Sequence, residues 1–193
     1  SSTPMRVRGN RPCWPRWSWR LVWRTFPPNA NWIPGGAPSP DPLVMAVGRM
    51  APVKRYDLLV RAAHHARRTV PNLRLHIVGD GYDRPTVQAA IHELDAGGWV
   101  TLRGSLTESE KLELFREAWI ITSASAREGW GMTLTEAAAC GTPAVATDIA
   151  GHRDSVHDGQ TGLLAAGDPA GLGDAMARVL ADDDLRARLS AGA

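Results

Sequence analysis

The sequence of 193 residues predicts an α/β fold, a doubly wound parallel sheet with helices on both faces. Short apolar runs of strand length alternate with segments that carry a helical period, and the connections between them are short. Successive parallel strands joined in this way form right-handed crossovers. Glycine-rich or polar turns follow several of the apolar runs, and sheets of this class bind ligands beyond the carboxyl ends of their strands.

Six strands are predicted from apolar runs that end at glycine, proline or polar residues. The first run, Leu43–Val47, is apolar at every position, as expected of a strand buried on both faces. The other predicted strands are, in order, Leu73–Val78, Trp99–Leu102, Trp119–Thr122, Ala144–Ala146 and Gly162–Leu164.

Helical segments lie between these runs. Apolar residues on one side of Tyr56–Val70 and arginines on the other predict an amphipathic helix that Pro71 ends. Thr107 and Glu110 have the spacing of a capping box, which opens a later helix. The remaining predicted helices are Arg84–Leu94, the alanine-rich segment before Gly141, and a last helix from Asp168 toward Leu180.

Residues 1–40 differ in composition from the rest of the chain. They contain six arginines and no acidic residue, together with five of the eight tryptophans and eight of the fourteen prolines. Such a segment could lie on an anionic membrane surface, bind nucleic acid, or be a poorly ordered leader. We favour the last interpretation, with no nucleic-acid partner, and place a linker at residues 34–40. The predicted division is therefore a leader over residues 1–40 and one domain over residues 41–193.

Composition and cysteine content point to a cytoplasmic protein. Apolar residues make up 44% of the chain and charged residues 22%, which is ordinary for a globular domain. Two cysteines make no disulfide framework, and no apolar run approaches the ~20 residues that span a bilayer. The six histidines show no metal-ligand spacing, so we predict no metal site.

The stretch from Arg127 to Ala146 offers an anion site between two acids. Gly129 and Gly131 leave backbone N–H groups accessible just before a helix, where phosphates bind readily. Glu136 is predicted in the first turn of that helix, and its carboxylate suits the paired hydroxyls of a ribose. Glu128 precedes the turn and is placed to meet sugar hydroxyls.

Two basic residues follow the first predicted strand. The guanidinium of Arg49 and the ammonium of Lys54 lie five residues apart on one loop, a combination that suits a diphosphate. Because this loop and the glycine loop both follow strands, they are expected on the same edge of the sheet.

Three motifs in order resemble the C-terminal donor-binding domain of glycosyltransferase family 4. They are V-G-R-M-A-P-V-K at 47–54, V-G-D-G at 78–81, and the run E-G-W-G-M-T-L-T-E-A-A-A-C-G-T-P-A-V-A at 128–146. The later run G-H-R-D-S-V-H-D-G-Q-T-G-L-L at 151–164 also matches that family, so the resemblance extends from about residue 41 to the end.

The resemblance implies a Rossmann-like domain that is one half of a GT-B fold, and transfer of a hexose with retention of configuration. The donor would be a UDP- or GDP-linked sugar, with no metal or other cofactor. By position in the family's motifs, Arg49, Lys54 and Glu128 would be catalytic. The donor-binding positions would be Gly48, Gly81, Gly129, Trp130, Gly131, Met132, Thr133 and Glu136.

The resemblance covers only the second of the family's two domains. The acceptor site belongs to an N-terminal domain, and family members continue into helices beyond the position of Ala193, so we expect a domain truncated at its C-terminus. Peripheral membrane contact of the intact enzyme stays open. Two alternatives also stay open: a nucleotide-sugar-binding module without turnover, which we expect of the isolated chain, and a nucleotide-sugar epimerase of the same fold.

Overall fold

The computed structural model describes residues 38–193, which form the predicted α/β fold around one parallel sheet. Its strand order is β3-β2-β1-β4-β5-β6. The strands are β1 (Leu43–Val47), β2 (Arg74–Val78), β3 (Val100–Gly104), β4 (Ile120–Ser123), β5 (Ala144–Thr147) and β6 (Gly162–Ala165). In this doubly wound order the direction of winding reverses between β1 and β4. A crevice between their carboxyl ends is thus the expected ligand site.

Seven α-helices accompany these strands within the described residues. They are α1 (Tyr56–Ala66), α2 (Arg84–Glu93), α3 (Glu108–Glu117), α4 (Met132–Ala139), α5 (Ala150–Arg153), α6 (Pro169–Ala181) and α7 (Asp183–Gly192). The predicted first helix ends four residues early, since the backbone turns after Ala66. Helices α5 and α7 were not predicted, because α5 is one turn long and α7 buries only two leucines.

Both faces of the sheet are buried. Val44 and Ile120 belong to the core cluster that also contains the inner sides of α1 and α6. Met45 and Ile121, the next residues of the same strands, are equally inaccessible. Because successive strand residues point to opposite faces, both sides of the sheet must be covered. This explains why the sequence shows continuous apolar runs instead of alternation.

The capping box predicted at the start of α3 is present. The Thr107 hydroxyl accepts a hydrogen bond from the Glu110 N–H, and the Glu110 carboxylate accepts one from the Thr107 N–H at 2.8 Å. We expect Thr107→Ala to lower the free energy of unfolding by about 1 kcal/mol, because an orphan N–H of the first turn then loses its acceptor. Urea unfolding measures this loss. Thr107→Ser keeps the hydroxyl and should retain most of the stability; an equal loss in both variants would contradict the capping role.

Of the leader and linker predicted over residues 1–40, residues 1–37 lie outside the described residues, so the division from the domain stays a prediction. The end of the predicted linker is anchored: the Ser39 N–H donates to the Glu117 carbonyl, and the Trp119 indole donates to the Ser39 carbonyl at 2.7 Å. None of the helices in residues 38–193 combines the length and the apolar composition that a membrane span requires.

Candidate functional site

A cavity of about 210 Å³ opens at the carboxyl ends of β1 and β4, where the sheet reverses its winding. It lies between the loop after β1 and the loop that leads from β4 into α4. Seven of the predicted site residues line it, namely Gly48, Lys54, Glu128, Trp130, Gly131, Met132 and Thr133. The other four, Arg49, Gly81, Gly129 and Glu136, do not. Two sequence segments more than 70 residues apart therefore meet in one site.

Lys54 and Glu128 form an ion pair inside this cavity. Lys54 comes from the 3-10 turn after β1 and Glu128 from the loop after β4, and their side chains are only 27% and 16% exposed. The Ser125 hydroxyl donates a second hydrogen bond to the same Glu128 oxygen at 2.7 Å. A ligand anion that approaches Lys54 must therefore share its ammonium with a carboxylate.

These contacts keep Glu128 ionised. Burial by itself raises the pKa of the carboxyl, but the hydrogen bonds from Lys54 and Ser125 and the Lys54 charge outweigh it, so the pKa lies below its ordinary value. Glu128 is consequently an acceptor of hydrogen bonds at neutral pH and holds no proton to donate.

Arg55 joins the two loops that form the cavity. Its guanidinium donates to the Ala124 carbonyl at 2.8 Å and to the Gly167 carbonyl at 3.1 Å. Its backbone has a φ of 48°, in the left-handed region that is unusual for a residue with a side chain. The two hydrogen bonds of the guanidinium compensate for that conformation. The turn at Arg55 connects Lys54 to the start of α1.

The N-terminus of α4 faces the cavity without a side-chain cap. Gly131 precedes the helix with a φ of 78°, and its carbonyl accepts the N–H groups of Leu134 and Thr135. The N–H groups of Met132 and Thr133, both of which line the cavity, remain available to a ligand. Trp130 is 41% exposed beside them, with its indole donating to the Thr135 hydroxyl at 3.1 Å.

His152 of α5 supports this loop from behind. It is fully buried, and its Nδ1 lies 2.8 Å from the Thr147 carbonyl, which can only accept, so Nδ1 carries the proton. Its Nε2 is enclosed without a hydrogen-bond partner among the described residues. A Cβ atom on Gly131 would lie 3.3 Å from the ring. Burial lowers the pKa of this imidazole, against the opposing hydrogen bond to Thr147 and the Glu128 charge.

We expect His152→Asn to reduce the acid sensitivity of the fold. The unfolded chain binds a proton on this imidazole near its ordinary pKa of 6.5, whereas the folded chain does so only at lower pH. The stability from neutral His152 is thus present above pH 6.5 and is lost as the pH falls below it. Between pH 7.5 and pH 5.5 the free energy of unfolding, measured with urea, should decrease by ~1 kcal/mol less in the variant than in the parent chain.

The exposed His92 supplies the control for this experiment. His92→Asn should leave the difference between the two pH values as in the parent chain. If His152→Asn also kept the parent's full difference, proton binding at His152 would not contribute to the acid sensitivity.

Glu136 does not occupy the predicted first turn of its helix. Because α4 begins at Met132, Glu136 is its fifth residue and lies in the second turn. Its carboxylate lies 3.0 Å from the ammonium of Lys111 on α3, which also pairs with Glu108. Burial by itself lowers the pKa of Lys111, but the hydrogen bonds that its ammonium donates to both carboxylates and their negative charges outweigh it, so the pKa is raised. A ribose contact by Glu136 stays a prediction, and it would require sharing with Lys111.

Arg49 and Gly129 do not line the cavity but are chain neighbours of residues that do. Arg49 is exposed and forms no hydrogen bond or ion pair with the other described residues, so its guanidinium is available to an incoming anion. Gly129 is also exposed, and a Cβ atom on it would meet nothing within 4 Å. Space alone therefore does not require glycine at position 129.

Gly81 has a packing role in this structure. A Cβ atom on Gly81 would lie 2.2 Å from the Met50 carbonyl oxygen, and one on Gly79 would lie 2.1 Å from the Gly48 oxygen. No Cβ atom fits at such distances, so these glycines let the turn after β2 lie directly on the loop after β1. They position the loop that carries Lys54.

Comparison with known proteins identifies the family. The chain matches the family described as glycosyl transferases group 1 over residues 33–193. It is 35% identical over 163 residues to a D-inositol 3-phosphate glycosyltransferase of Xylanimonas cellulosilytica, a match that covers 82% of this chain and 38% of the relative. The chain thus spans about two fifths of the length of the curated relatives it matches.

Solved structures show the same architecture. A sucrose-phosphate synthase from Thermosynechococcus elongatus is 29% identical with a TM-score of 0.73, covering 79% of this chain and 39% of that one. A TarM mutant from S. aureus, in complex with fondaparinux, alpha-GlcNAc-glycerol and UDP, is 25% identical with a TM-score of 0.74. That match covers 82% of this chain and 33% of the other. The fold is therefore the Rossmann-like one found in GT-B glycosyltransferases.

Proposed function

Because the chain belongs to the glycosyl transferases group 1 family, we propose that its described domain is the donor-binding half of a retaining glycosyltransferase of family 4. The intact enzyme would move a hexose from a UDP- or GDP-linked sugar to an acceptor, and the acceptor site would belong to an N-terminal domain. The observation that carries the proposal is the pairing of Lys54 with Glu128 beside the uncapped end of α4, in the crevice where the sheet reverses.

The chemistry of the cavity suits a nucleotide diphosphate sugar. The Lys54 ammonium and the available N–H groups of Met132 and Thr133 are donors for the phosphate oxygens inside the cavity. The exposed Arg49 directly follows the lining residue Gly48 and would add a guanidinium. In transfer, negative charge develops on the departing diphosphate, and fixed cations stabilise that charge. Glu128, ionised and held by Ser125, is an acceptor for sugar hydroxyls. The described His, Cys, Asp and Glu residues form no group of three that could hold a metal, and the proposal includes no cofactor.

The volume of the cavity is that expected of one side of a larger binding site. Its volume of about 210 Å³ is below the 300–1,000 Å³ typical of complete small-molecule sites. A donor bound between two domains would bury its remaining surface against the second domain. For this reason we propose that the isolated chain binds donor without transferring sugar.

Calorimetry and a transfer assay test these statements separately. Titrations with UDP and GDP should show binding of one nucleotide, and radiolabelled UDP- or GDP-sugars should show no transfer by the isolated chain. D-inositol 3-phosphate, named for the curated relatives, is the first acceptor to assay with a full-length enzyme. Transfer by the isolated chain would overturn the binding-only statement, and binding of neither nucleotide would overturn the donor-binding function itself.

A further inference from the structure

Tyr56 presents an unused hydroxyl to the cavity. It is the first residue of α1 and is only 4% exposed, with its ring in the core cluster. Its hydroxyl forms no hydrogen bond with any described residue, although the side chain lines the cavity. The ring is buried while the hydroxyl opens onto the cavity, so a ligand that enters the cavity can accept a hydrogen bond from it.

The hydroxyl borders the same gap as the Lys54 ammonium. A Cβ atom built on Gly48 would lie 3.0 Å from the Tyr56 oxygen and 3.8 Å from Lys54 Nζ. Because residue 48 is glycine, this space between the two donors is not filled by the protein. An atom that accepts from both donors can enter it.

The surroundings favour an anion in this gap. Lys54 supplies an ammonium that it shares with Glu128, and Tyr56 lies at the N-terminal end of α1, where the helix dipole is positive. Burial, and then the nearby Glu128 charge, raise the pKa of the phenol above its ordinary value, so the hydroxyl keeps its proton. A neutral donor beside an ammonium matches a phosphate oxygen, which accepts hydrogen bonds and donates none.

We propose that the Tyr56 hydroxyl donates a hydrogen bond to a phosphate oxygen of the donor nucleotide, in the gap left by Gly48 and next to Lys54. This inference rests on the proposed function and adds to it a binding residue that acts from the floor of the cavity. The ring of Tyr56 has a separate role in packing, which phenylalanine would preserve.

Tyr56→Phe tests the proposal, with Tyr82→Phe as the matched control. These are the two tyrosines of the chain, and Tyr82 is 76% exposed. Calorimetry should show that Tyr56→Phe weakens UDP or GDP binding about ten-fold or more, the range for a hydrogen bond to a charged group. Binding of the UDP-sugar should weaken by the same factor, and binding of uridine should be unaffected. Tyr82→Phe should match the parent chain throughout, and thermal unfolding should show that both variants fold.

Any other result overturns the inference, and the four possible results can be told apart. Unchanged UDP affinity in Tyr56→Phe would restrict Tyr56 to packing, with the proposed function intact. A loss seen only with the UDP-sugar would place the hydroxyl against the sugar. Equal losses for uridine and UDP would mean that the pocket as a whole had changed. If the parent chain bound neither UDP nor GDP, the proposed function would fail, and the role of Tyr56 with it.

Discussion

Lys54→Met is expected to weaken UDP or GDP binding about 10- to 150-fold and to leave nucleoside binding unchanged. The ammonium is the cation inside the cavity, and a hydrogen bond to a charged group contributes ~1.5–3 kcal/mol. The substitution also leaves the mostly buried Glu128 carboxylate without its partner. That unpaired charge would repel the phosphates, so both effects act in the same direction. Calorimetry with the diphosphate and with the free nucleoside measures the difference.

Two further variants separate charge from structure. Arg61→Met breaks an exposed ion pair with Glu93, between α1 and α2, and should change affinity less than two-fold. In the double variant Lys54→Met with Glu128→Gln, the repelling carboxylate is neutral, so part of the lost affinity should return. Equal weakening of nucleoside and diphosphate in Lys54→Met would mean that Lys54 does not meet phosphate.

The strands could be predicted from the sequence because burial on both faces leaves a local signature. The run Leu43–Val47 is apolar throughout and forms β1 with the same bounds. Its pairing with β2 and β4 was not predicted, because register depends on contacts between distant parts of the chain. Helix ends were less certain: nothing in the sequence distinguishes the turn after Ala66 from another turn of helix. The short α5 carries too few residues to show any period.

The site could be placed but its internal contacts could not. Because Lys54 and Glu128 both follow strands, they were predicted to lie at the same edge of the sheet. Their direct pairing depends on how two loops approach each other, and no local sequence pattern specifies that approach. Arg55 gave no signal, since its left-handed backbone and its bonds to Ala124 and Gly167 are tertiary effects. The packing role of Gly81 also gave no separate signal, because close backbone packing and close approach of a ligand both favour glycine. Its contact with the donor stays a prediction.

The glycine that opens the matched run at 151–164 has a comparable packing role, and we expect its replacement to have the largest effect on stability. Gly151 is buried in α5, and a Cβ atom on it would lie 2.3 Å from the Glu128 carbonyl oxygen and 2.8 Å from its carbon. Gly151→Ala should lower the free energy of unfolding by about 2–3 kcal/mol, because backbone must move to admit the methyl group. Thermal unfolding should show a decrease of roughly 4–12 °C.

The loop that must move in Gly151→Ala is the one that carries Glu128, so the effect should reach the cavity. Gly151 is helical, and alanine favours a helix more than glycine does, so any loss comes from the contact and not from the backbone conformation. Gly97→Ala is the control, since Gly97 is exposed and its Cβ would meet nothing within 4 Å. At a temperature where Gly151→Ala remains folded, its affinity for the UDP- or GDP-linked sugar should fall, because the displaced Glu128 carboxylate no longer meets the sugar hydroxyls. A loss of stability without any loss of affinity would mean that α5 moves to admit the methyl group. The loop that carries Glu128 would then keep its position through the contacts of Glu128 with Ser125 and Lys54.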